Sequence, residues 1–225
     1  MYDIIKHYEK VSPELVKKFS ELEESASINE CMDHNGAFNH DIRPVWPGSR
    51  LCGTALTVSA RPGDNLLLHK AITMVKPGDV LVITCDGFLE SGGMWGGIMS
   101  TAAQTMGAVG LVIDGSVRDT MMMKKINFPV FSRGIGVKKS TKAVGGYINH
   151  PITISDVLVN PGDLIFADND SVVCVPRQMA EEVYRRTKQR EDEEDARREV
   201  AKKDGTITFQ TFEEVFAQLH LTEEP

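Results

Sequence analysis

The stretch Trp95–Asp119, WGGIMSTAAQTMGAVGLVIDGSVRD, begins with a pair of glycines and ends with an Arg-Asp pair. Residues 98–106 are small and apolar, which is typical of a buried helix. The run VGLVID at 109–114 is short and mostly apolar, which is typical of a strand covered on both faces. This order predicts a glycine turn, a helix, a strand and a charged loop, as in a parallel β-α-β unit.

The flanking segments continue the same alternation of strand and helix. Before the stretch, RLCGTALTVSAR and DVLVITC predict two strands, and GDNLLLHKAITMV between them predicts a helix capped by Asp64. After it, MMMKKI predicts a short helix and FPVFSRG a strand, with Asp114-Gly115 serving a turn. The middle of the chain is therefore predicted to be an α/β layered domain with several parallel strands.

The two ends of the chain have sequence patterns that differ from the strand–helix alternation of the middle. Ser12 and Pro13 mark a helix start, and from Lys142 onward frequent turn residues predict short, mostly antiparallel strands. A long charged helix is predicted from Gln178 to Lys203, followed by an amphipathic helix at 211–220. We expect an N-terminal helical segment (1–40), a core (41–177) and C-terminal helices (178–225) that pack on a neighbouring subunit.

Composition limits the class of protein. The 225 residues carry a net charge of −7, which argues against general nucleic-acid binding. No signal peptide and no apolar run of about 20 residues is visible, so we expect a cytoplasmic protein without membrane contact. The four cysteines form no CxxC pair and are expected to be reduced thiols with packing roles.

Two loops that follow buried strands, DGFLESGGMWGG at 86–97 and GSVRD at 115–119, are candidates for a functional site. Ligands of open α/β sheets bind beyond the carboxyl ends of the strands. Gly96 and Gly97 lie where a helix begins, and unpaired helix N–H groups bind anions. Arg118 suits a carboxylate, and Asp119 suits a Mg²⁺ ion that keeps most of its waters. The alternatives are a flexible glycine loop for the glycines and, for the Arg-Asp pair, a surface ion pair or a loop cap.

Several other kinds of site lack support. No HExxH, GxSxG, GxGxxG or Walker A spacing occurs, which argues against a zinc site, a serine hydrolase and a nucleotide site. We expect His69 to be structural and the run of methionines at 121–123 to pack in the core or at an interface. Packing or surface roles are expected for His34, Arg43 and Trp46.

The ordered segments PGSRLCGTALTV, PGDNLLLHKAI, PGDVLVI, WGGIMSTAA, GLVIDGSVRD, FPVFSRG and VNPGDLIFADNDSVVCVP, spread over residues 43–177, resemble the RraA-like family. This family includes class II pyruvate aldolases acting on 4-hydroxy-4-methyl-2-oxoglutarate and 4-carboxy-4-hydroxy-2-oxoadipate, and regulators of RNase E activity. The resemblance implies a swivelling β/β/α fold. It also implies a homotrimer, or a homohexamer of two trimers, with sites between subunits.

The resemblance also implies roles for site residues. Arg118 would contact the carbonyl of a 2-oxo acid substrate, and Asp119 would hold Mg²⁺ or Mn²⁺. The substrate carboxylate would be held by backbone groups of four consecutive residues, Gly96, Gly97, Ile98 and Met99. A further acidic group would come from the C-terminal helix of a neighbouring subunit, with Glu194 as the choice and Glu191 and Glu193 as alternatives.

One departure from the aldolase pattern concerns Gly97. The aldolases carry an Asp, then twenty residues, then Arg-Asp, and here the first position is Gly97 while Arg118 and Asp119 are kept. We expect a metal-dependent lyase in which Arg118 and the metal stabilise an enolate, with retro-aldol release of pyruvate or decarboxylation of oxaloacetate. The alternatives are a non-catalytic regulator that binds an RNA-processing enzyme, and a lyase for a bulkier oxo acid.

Overall fold

The computed structural model describes residues 3–33, 35–90, 92–205 and 210–220. The chain divides into two compact units, Met1–Thr187 and Lys188–Pro225. The helices are α1 (Pro13–Ser20), α2 (Ser25–Glu30), α3 (Leu66–Ile72), α4 (Gly97–Met106), α5 (Thr120–Lys125), α6 (Ala180–Asp204) and α7 (Gln210–Gln218). The strands are β1 (Asp3–Ile4), β2 (Arg43–Pro44), β3 (Leu51–Ser59), β4 (Asp79–Thr84), β5 (Gly110–Val117), β6 (Val130–Ile135), β7 (Tyr147–Ile148), β8 (Ile152–Ile154), β9 (Val157–Val159), β10 (Leu164–Ala167) and β11 (Val172–Val175).

Four parallel strands form the centre of the first unit. They lie in the order β3, β4, β5, β6, with Leu56 opposite Leu81 and Leu81 opposite Leu111. Helices α3, α4 and α5 make the successive crossovers, so the predicted β-α-β alternation is confirmed. Every residue of β4 and β5 is buried, as expected for parallel strands covered on both faces.

Antiparallel strands complete the sheet at its edges. Strand β3 pairs in antiparallel fashion with β10 along its first half and with β7 at its last two residues. β2 pairs with β6, β1 with β7, and β11 with β10, while β8 and β9 form a separate two-stranded sheet. The predicted antiparallel strands after Lys142 are confirmed, and the fold is a mixed α/β layered structure with N-terminal helices and a long C-terminal helix.

Apolar clusters cover both faces of the sheet. One face packs against α3 and α4 and includes Trp95 and Met99, and the other includes Phe38 and Phe131. A third cluster joins the N-terminal helices to β10 and β11 around Phe19. Within the described residues, no helix combines the length and the apolar character required to cross a membrane.

Two local predictions need correction. Asp114 and Gly115 lie inside β5, because the strand continues to Val117 with an irregular register between Ile113 and Ser116, so they form no turn. The N-cap of α3 is Asn65, one residue after Asp64. Asp64 still accepts the amide of Leu66 at 3.1 Å, and the predicted capping bond of Ser12 to the amide of Leu15 is present at 3.2 Å.

Candidate functional site

The two candidate loops lie together at the carboxyl ends of β4 and β5. Trp95 forms a parallel bridge with Val117, and the amide of Arg118 donates to the carbonyl oxygen of Trp95 at 2.9 Å. The amide of Met94 donates to the carbonyl oxygen of Ser116 at 2.8 Å. These backbone bonds attach the glycine turn to the end of β5, which places the start of α4 beside the Arg-Asp pair.

A buried tryptophan stabilises the glycine turn through hydrogen bonds. Trp95 is fully buried, and its indole Nε1 donates to Oγ of Ser100 at 2.8 Å. Ser100 in turn donates to the carbonyl oxygen of Gly96 at 3.2 Å. Because a buried indole N–H needs a partner, this chain of bonds holds the turn in one conformation.

Gly96 is the N-cap of α4 and has an extended backbone, with φ −148° and ψ −176°. Its lack of a side chain is required by close approach, because an added Cβ would lie 2.7 Å from Oδ2 of Asp119. The same Cβ would lie 3.4 Å from Cγ and Nε of Arg118. A glycine at this position therefore allows both side chains to lie over the turn.

Asp119 connects the two helix starts. It is the N-cap of α5 in the left-handed region, with φ 61°, a conformation that Asp tolerates better than most residues. Its Oδ2 accepts the amide of Gly97 at 3.0 Å, so the carboxylate lies at the N-terminus of α4. A negative charge is favoured there by the helix dipole and by the unpaired amides.

Arg118 is half-buried, and its aliphatic stem lies along the glycine turn. A Cβ on Gly93 would lie 2.9 Å from Cβ and Cγ of Arg118. Within the described ranges, no carboxylate lies within ion-pair distance of the Arg118 guanidinium, that of Asp119 included. Among the described residues the surface ion pair, one alternative interpretation of these two residues, is therefore absent. The other alternative, a loop cap, is present, because Asp119 accepts the amide of Gly97.

The first turn of α4 also offers amide donors. The N–H of Gly97 donates to Oδ2 of Asp119, whereas no acceptor among the described residues binds the amides of Ile98 and Met99. The side chain of Met99 is buried in the core, and that of Ile98 is 87% exposed. An anion at this helix end would thus meet two free amides and the guanidinium of Arg118.

A divalent metal at the start of α4 would meet the carboxylate of Asp119. Among the residues that the structure describes, no group of three or more His, Cys, Asp or Glu side chains is arranged to hold a metal ion. Asp119 is exposed, and its Oδ1 accepts no hydrogen bond from the residues that the structure describes. A single carboxylate suits Mg²⁺, which keeps several waters and takes further oxygens from a substrate.

The candidate acidic residues of α6 lie in the second unit. Glu194 pairs with Arg190 at 2.7 Å and with Arg198 at 3.7 Å, each one helical turn away. Glu193 pairs with Arg197 at 3.9 Å, and Glu191 is buried. The Glu194 carboxylate thus has two cationic partners on its own helix.

Two residues beside the site had no predicted role there. Asn65, buried at the start of α3, donates from Nδ2 to the carbonyl oxygen of Met94 at 3.0 Å and so supports the turn from the other side. Met122 lies against the first turn of α4, because a Cβ on Gly97 would be 2.9 Å from its Cγ. Of the three methionines at 121–123, only Met123 is in the core.

The remaining candidates lie as follows. His69 is exposed on α3, and desolvation together with the nearby charge of Lys142 lowers its pKa. Trp46 is buried in the core, Arg43 donates to the carbonyl oxygen of Asp170 at 2.7 Å, and His34 lies outside the described residues. The four cysteines are free thiols, three buried and Cys52 partly buried.

Comparisons with known proteins agree with this architecture. A family model named RraA-like, described as Aldolase/RraA, matches residues 24–174. A protein of Halalkalibacterium halodurans named "Putative 4-hydroxy-4-methyl-2-oxoglutarate aldolase" is 35% identical over 170 residues, which cover 76% of this chain and 80% of that protein.

Solved structures with the same fold include two proteins named for RraA. The crystal structure of Streptomyces coelicolor RraAS2, described as an unusual member of the RNase ES inhibitor RraA protein family, has a TM-score of 0.77 and 25% identity, covering 85% of this chain and 99% of that one. The RNA-processing inhibitor RraA from Thermus thermophilus has a TM-score of 0.63 and 25% identity, covering 68% and 93%.

Proposed function

The chain belongs to the RraA-like family, and from this premise we propose that it is a divalent-metal-dependent lyase that cleaves a C–C bond of a 2-oxo acid and releases pyruvate. The observation that carries the proposal is the arrangement at the start of α4. There, an exposed Asp119 carboxylate lies beside the Arg118 guanidinium and two amides, and neither the guanidinium nor the amides have an acceptor among the described residues.

Each group has a role that follows from its chemistry. The amides of Ile98 and Met99 donate to the substrate carboxylate. Arg118 donates to the substrate carbonyl oxygen and stabilises the negative charge that develops there as the C–C bond breaks. Gly97 acts through Asp119, because its N–H fixes the orientation of that carboxylate.

Asp119 would hold Mg²⁺ or Mn²⁺ through Oδ1. When bound, such an ion supplies Lewis-acid polarisation of the substrate carbonyl. The family resemblance implies a trimer or hexamer with sites between subunits, and on that basis Glu194 of a neighbouring subunit would add a second carboxylate to that of Asp119. The substrate's own oxygens and water supply the remaining ligands in this proposal.

A second candidate function is a non-catalytic regulator that binds an RNA-processing enzyme. The feature that favours it is Gly97, which provides no acidic side chain beside Asp119. The names of the two RraA structures, which describe inhibitors of RNA processing, support the same alternative. A lyase for a bulkier oxo acid gains less support, because Met122 already lies where a side chain on Gly97 would extend.

The test is pyruvate release from 4-hydroxy-4-methyl-2-oxoglutarate and from oxaloacetate, with Mg²⁺ or Mn²⁺ and again with EDTA. Metal-dependent release that EDTA abolishes is the expected result. Absence of release with either metal would favour the regulator, whose docking through an acidic surface should weaken as salt rises in a pull-down assay.

A further inference from the structure

Strand β5 changes its hydrogen-bonded neighbour near its carboxyl end. It pairs with β4 as far as Thr84, which lies opposite Asp114. Beyond that point the same edge of β5 pairs with the glycine turn, where the amide of Met94 donates to the carbonyl oxygen of Ser116 at 2.8 Å. The backbone that leads to Arg118 is therefore aligned by the glycine turn and no longer by β4.

One extra residue lies in β5 at the point where the neighbour changes. Ile113 lies opposite Ser132, and Ser116 lies opposite Gly134. Two residues of β5 thus span the interval that Arg133 alone spans on β6, which is the pattern of a β-bulge. Relative to a regular register, such a bulge displaces the end of the strand by one residue rise, about 3.3 Å. The bulge therefore sets the position of the Arg-Asp pair relative to β6.

The side chain of Arg133 lies across the bulge. Its Nε donates to Oδ1 of Asp114, one of the two bulge residues, at 2.5 Å. Its guanidinium also donates to the carboxylate of Asp41, which precedes β2. The side chains of Arg133 and Asp114 are only 19% and 7% exposed, and a charged hydrogen bond is stronger where water is excluded. Within the residues that the structure describes, the Asp114 carboxylate has no other hydrogen-bond partner.

We propose that Arg133 is a positioning residue for the candidate site. Its bond to Asp114 fixes the bulge of β5, and the bulge places Arg118 and Asp119 beside the glycine turn. A bulge interrupts the backbone ladder, so it needs side-chain contacts that favour it over the regular register. This inference rests on the proposed function only where it assigns a catalytic consequence to the position of Arg118.

Hydrogen–deuterium exchange resolved to single amides tests this positioning without a ligand. In Arg133→Met we expect the amides of Met94 and Arg118 to exchange about tenfold or more faster, relative to the amide of Leu111, because a hydrogen bond between charged groups is lost at the bulge. Leu111 lies before the bulge, and its amide donates to the carbonyl oxygen of Pro129. Arg133→Lys keeps the charge without the planar fork and should show a smaller increase.

Lys10→Met is the matched control. Lys10 pairs with Asp79, whose side chain is 1% exposed, at the amino end of β4. This variant also leaves a buried carboxylate without its cation, but at the opposite end of the sheet from the glycine turn. Its exchange ratio should equal that of the wild type. Melting temperatures show which variants are folded during the measurement, and Arg133→Lys carries the test if Arg133→Met does not fold.

An unchanged exchange ratio in the Arg133 variants, or an equal increase in Lys10→Met, would overturn the inference, because the ion pair would then only stabilise the fold. If the wild type releases pyruvate, kcat should fall about a hundredfold in Arg133→Met, the loss typical of a misplacement of about 1 Å. Equal kcat values in Arg133→Met and Lys10→Met would also overturn it. Absence of release from the wild type removes the lyase, and the exchange ratio then decides the role of Arg133 alone.

Discussion

The amide of Gly97 donates a 3.0 Å hydrogen bond to Oδ2 of Asp119, and this bond joins the start of α4 to the start of α5. The two residues are 22 positions apart, yet the carboxylate lies on the helix N-terminus as a capping group would. One consequence is that the first amide of α4 orients Asp119, which leaves the next two amides for a ligand.

Removal of the Arg118 guanidinium should abolish turnover while leaving the fold intact. In Arg118→Ala we expect pyruvate release to fall by about a hundredfold or more, because the group that stabilises the developing charge is lost. Arg118→Lys, which keeps the charge but not the planar fork, should recover only part of the activity. Steady-state kinetics and circular dichroism test this, and wild-type turnover in Arg118→Ala would exclude Arg118 from the mechanism.

Asp119→Asn should remove the negative charge at this position while keeping the hydrogen bond from the Gly97 amide. The amide oxygen of the new side chain can still accept from Gly97, so we expect the melting temperature to change little. Metal binding should be lost, since a neutral amide is a much weaker ligand than a carboxylate. Titration of Mn²⁺ followed by electron paramagnetic resonance measures this, and Mn²⁺ affinity equal to that of the wild type would show that the metal binds elsewhere.

Gly96→Ala should disturb Asp119 without changing any polar group. The added Cβ would lie 2.7 Å from Oδ2, so we expect the carboxylate to move away from the Gly97 amide. Loss of such an outer-shell bond typically weakens metal affinity by about 10–100-fold. Gly136→Ala is the matched control, because its Cβ would meet only ordinary contacts at 3.6 and 3.7 Å. Equal Mn²⁺ affinities in the two variants would contradict the assigned role of the Gly97–Asp119 bond.

Asp64 should contribute to stability in a pH-dependent way. Burial raises the pKa of its carboxyl, but hydrogen bonds from Ala143, Thr141, Leu66 and Val144 outweigh this, and the pKa lies below its ordinary value of 3.8. A depressed pKa means that the stabilisation is complete above the unfolded-state value and is lost as pH falls through the folded-state value. We expect Asp64→Asn to cost about 1–3 kcal/mol at neutral pH.

The measurement is urea unfolding of wild type and Asp64→Asn across the pH range. The difference in free energy of unfolding between the two proteins should be constant near neutrality and shrink below pH 3.8. A difference that stays the same at all pH values would show that the ionised carboxylate makes no special contribution.

The sequence predicted the parallel centre of the fold well, because buried strands and crossover helices leave strong local patterns. The apolar runs of β4 and β5 and the small residues of α4 are examples. It did not predict that β10 and β7 share one edge of β3, since the pairing of Leu164 with Thr54 depends on distant parts of the chain. It also ended β5 too early, because Asp114-Gly115 has a turn-like composition inside a strand.

The candidate site was predicted only in part. Glycines before a helix and an Arg-Asp pair after a strand are visible in the sequence, and the parallel topology implies that they meet. The use of the Gly97 amide by Asp119 and the contact of Met122 with Gly97 depend on side-chain positions that no spacing reveals. Asn65 offered only a weak signal, because Asn near a helix start usually serves as a cap.

The fluorescence of the buried Trp95 indole can report on the conformation of the glycine turn. The indole N–H donates to Oγ of Ser100, and this hydroxyl donates to the carbonyl oxygen of Gly96. A ligand that binds the neighbouring α4 amides is therefore expected to change the environment of the Trp95 indole. The chain has two tryptophans, and replacing Trp46 with phenylalanine leaves a single emitter at the proposed site. Occupancy can then be followed by intrinsic fluorescence in real time, without a label and without turnover.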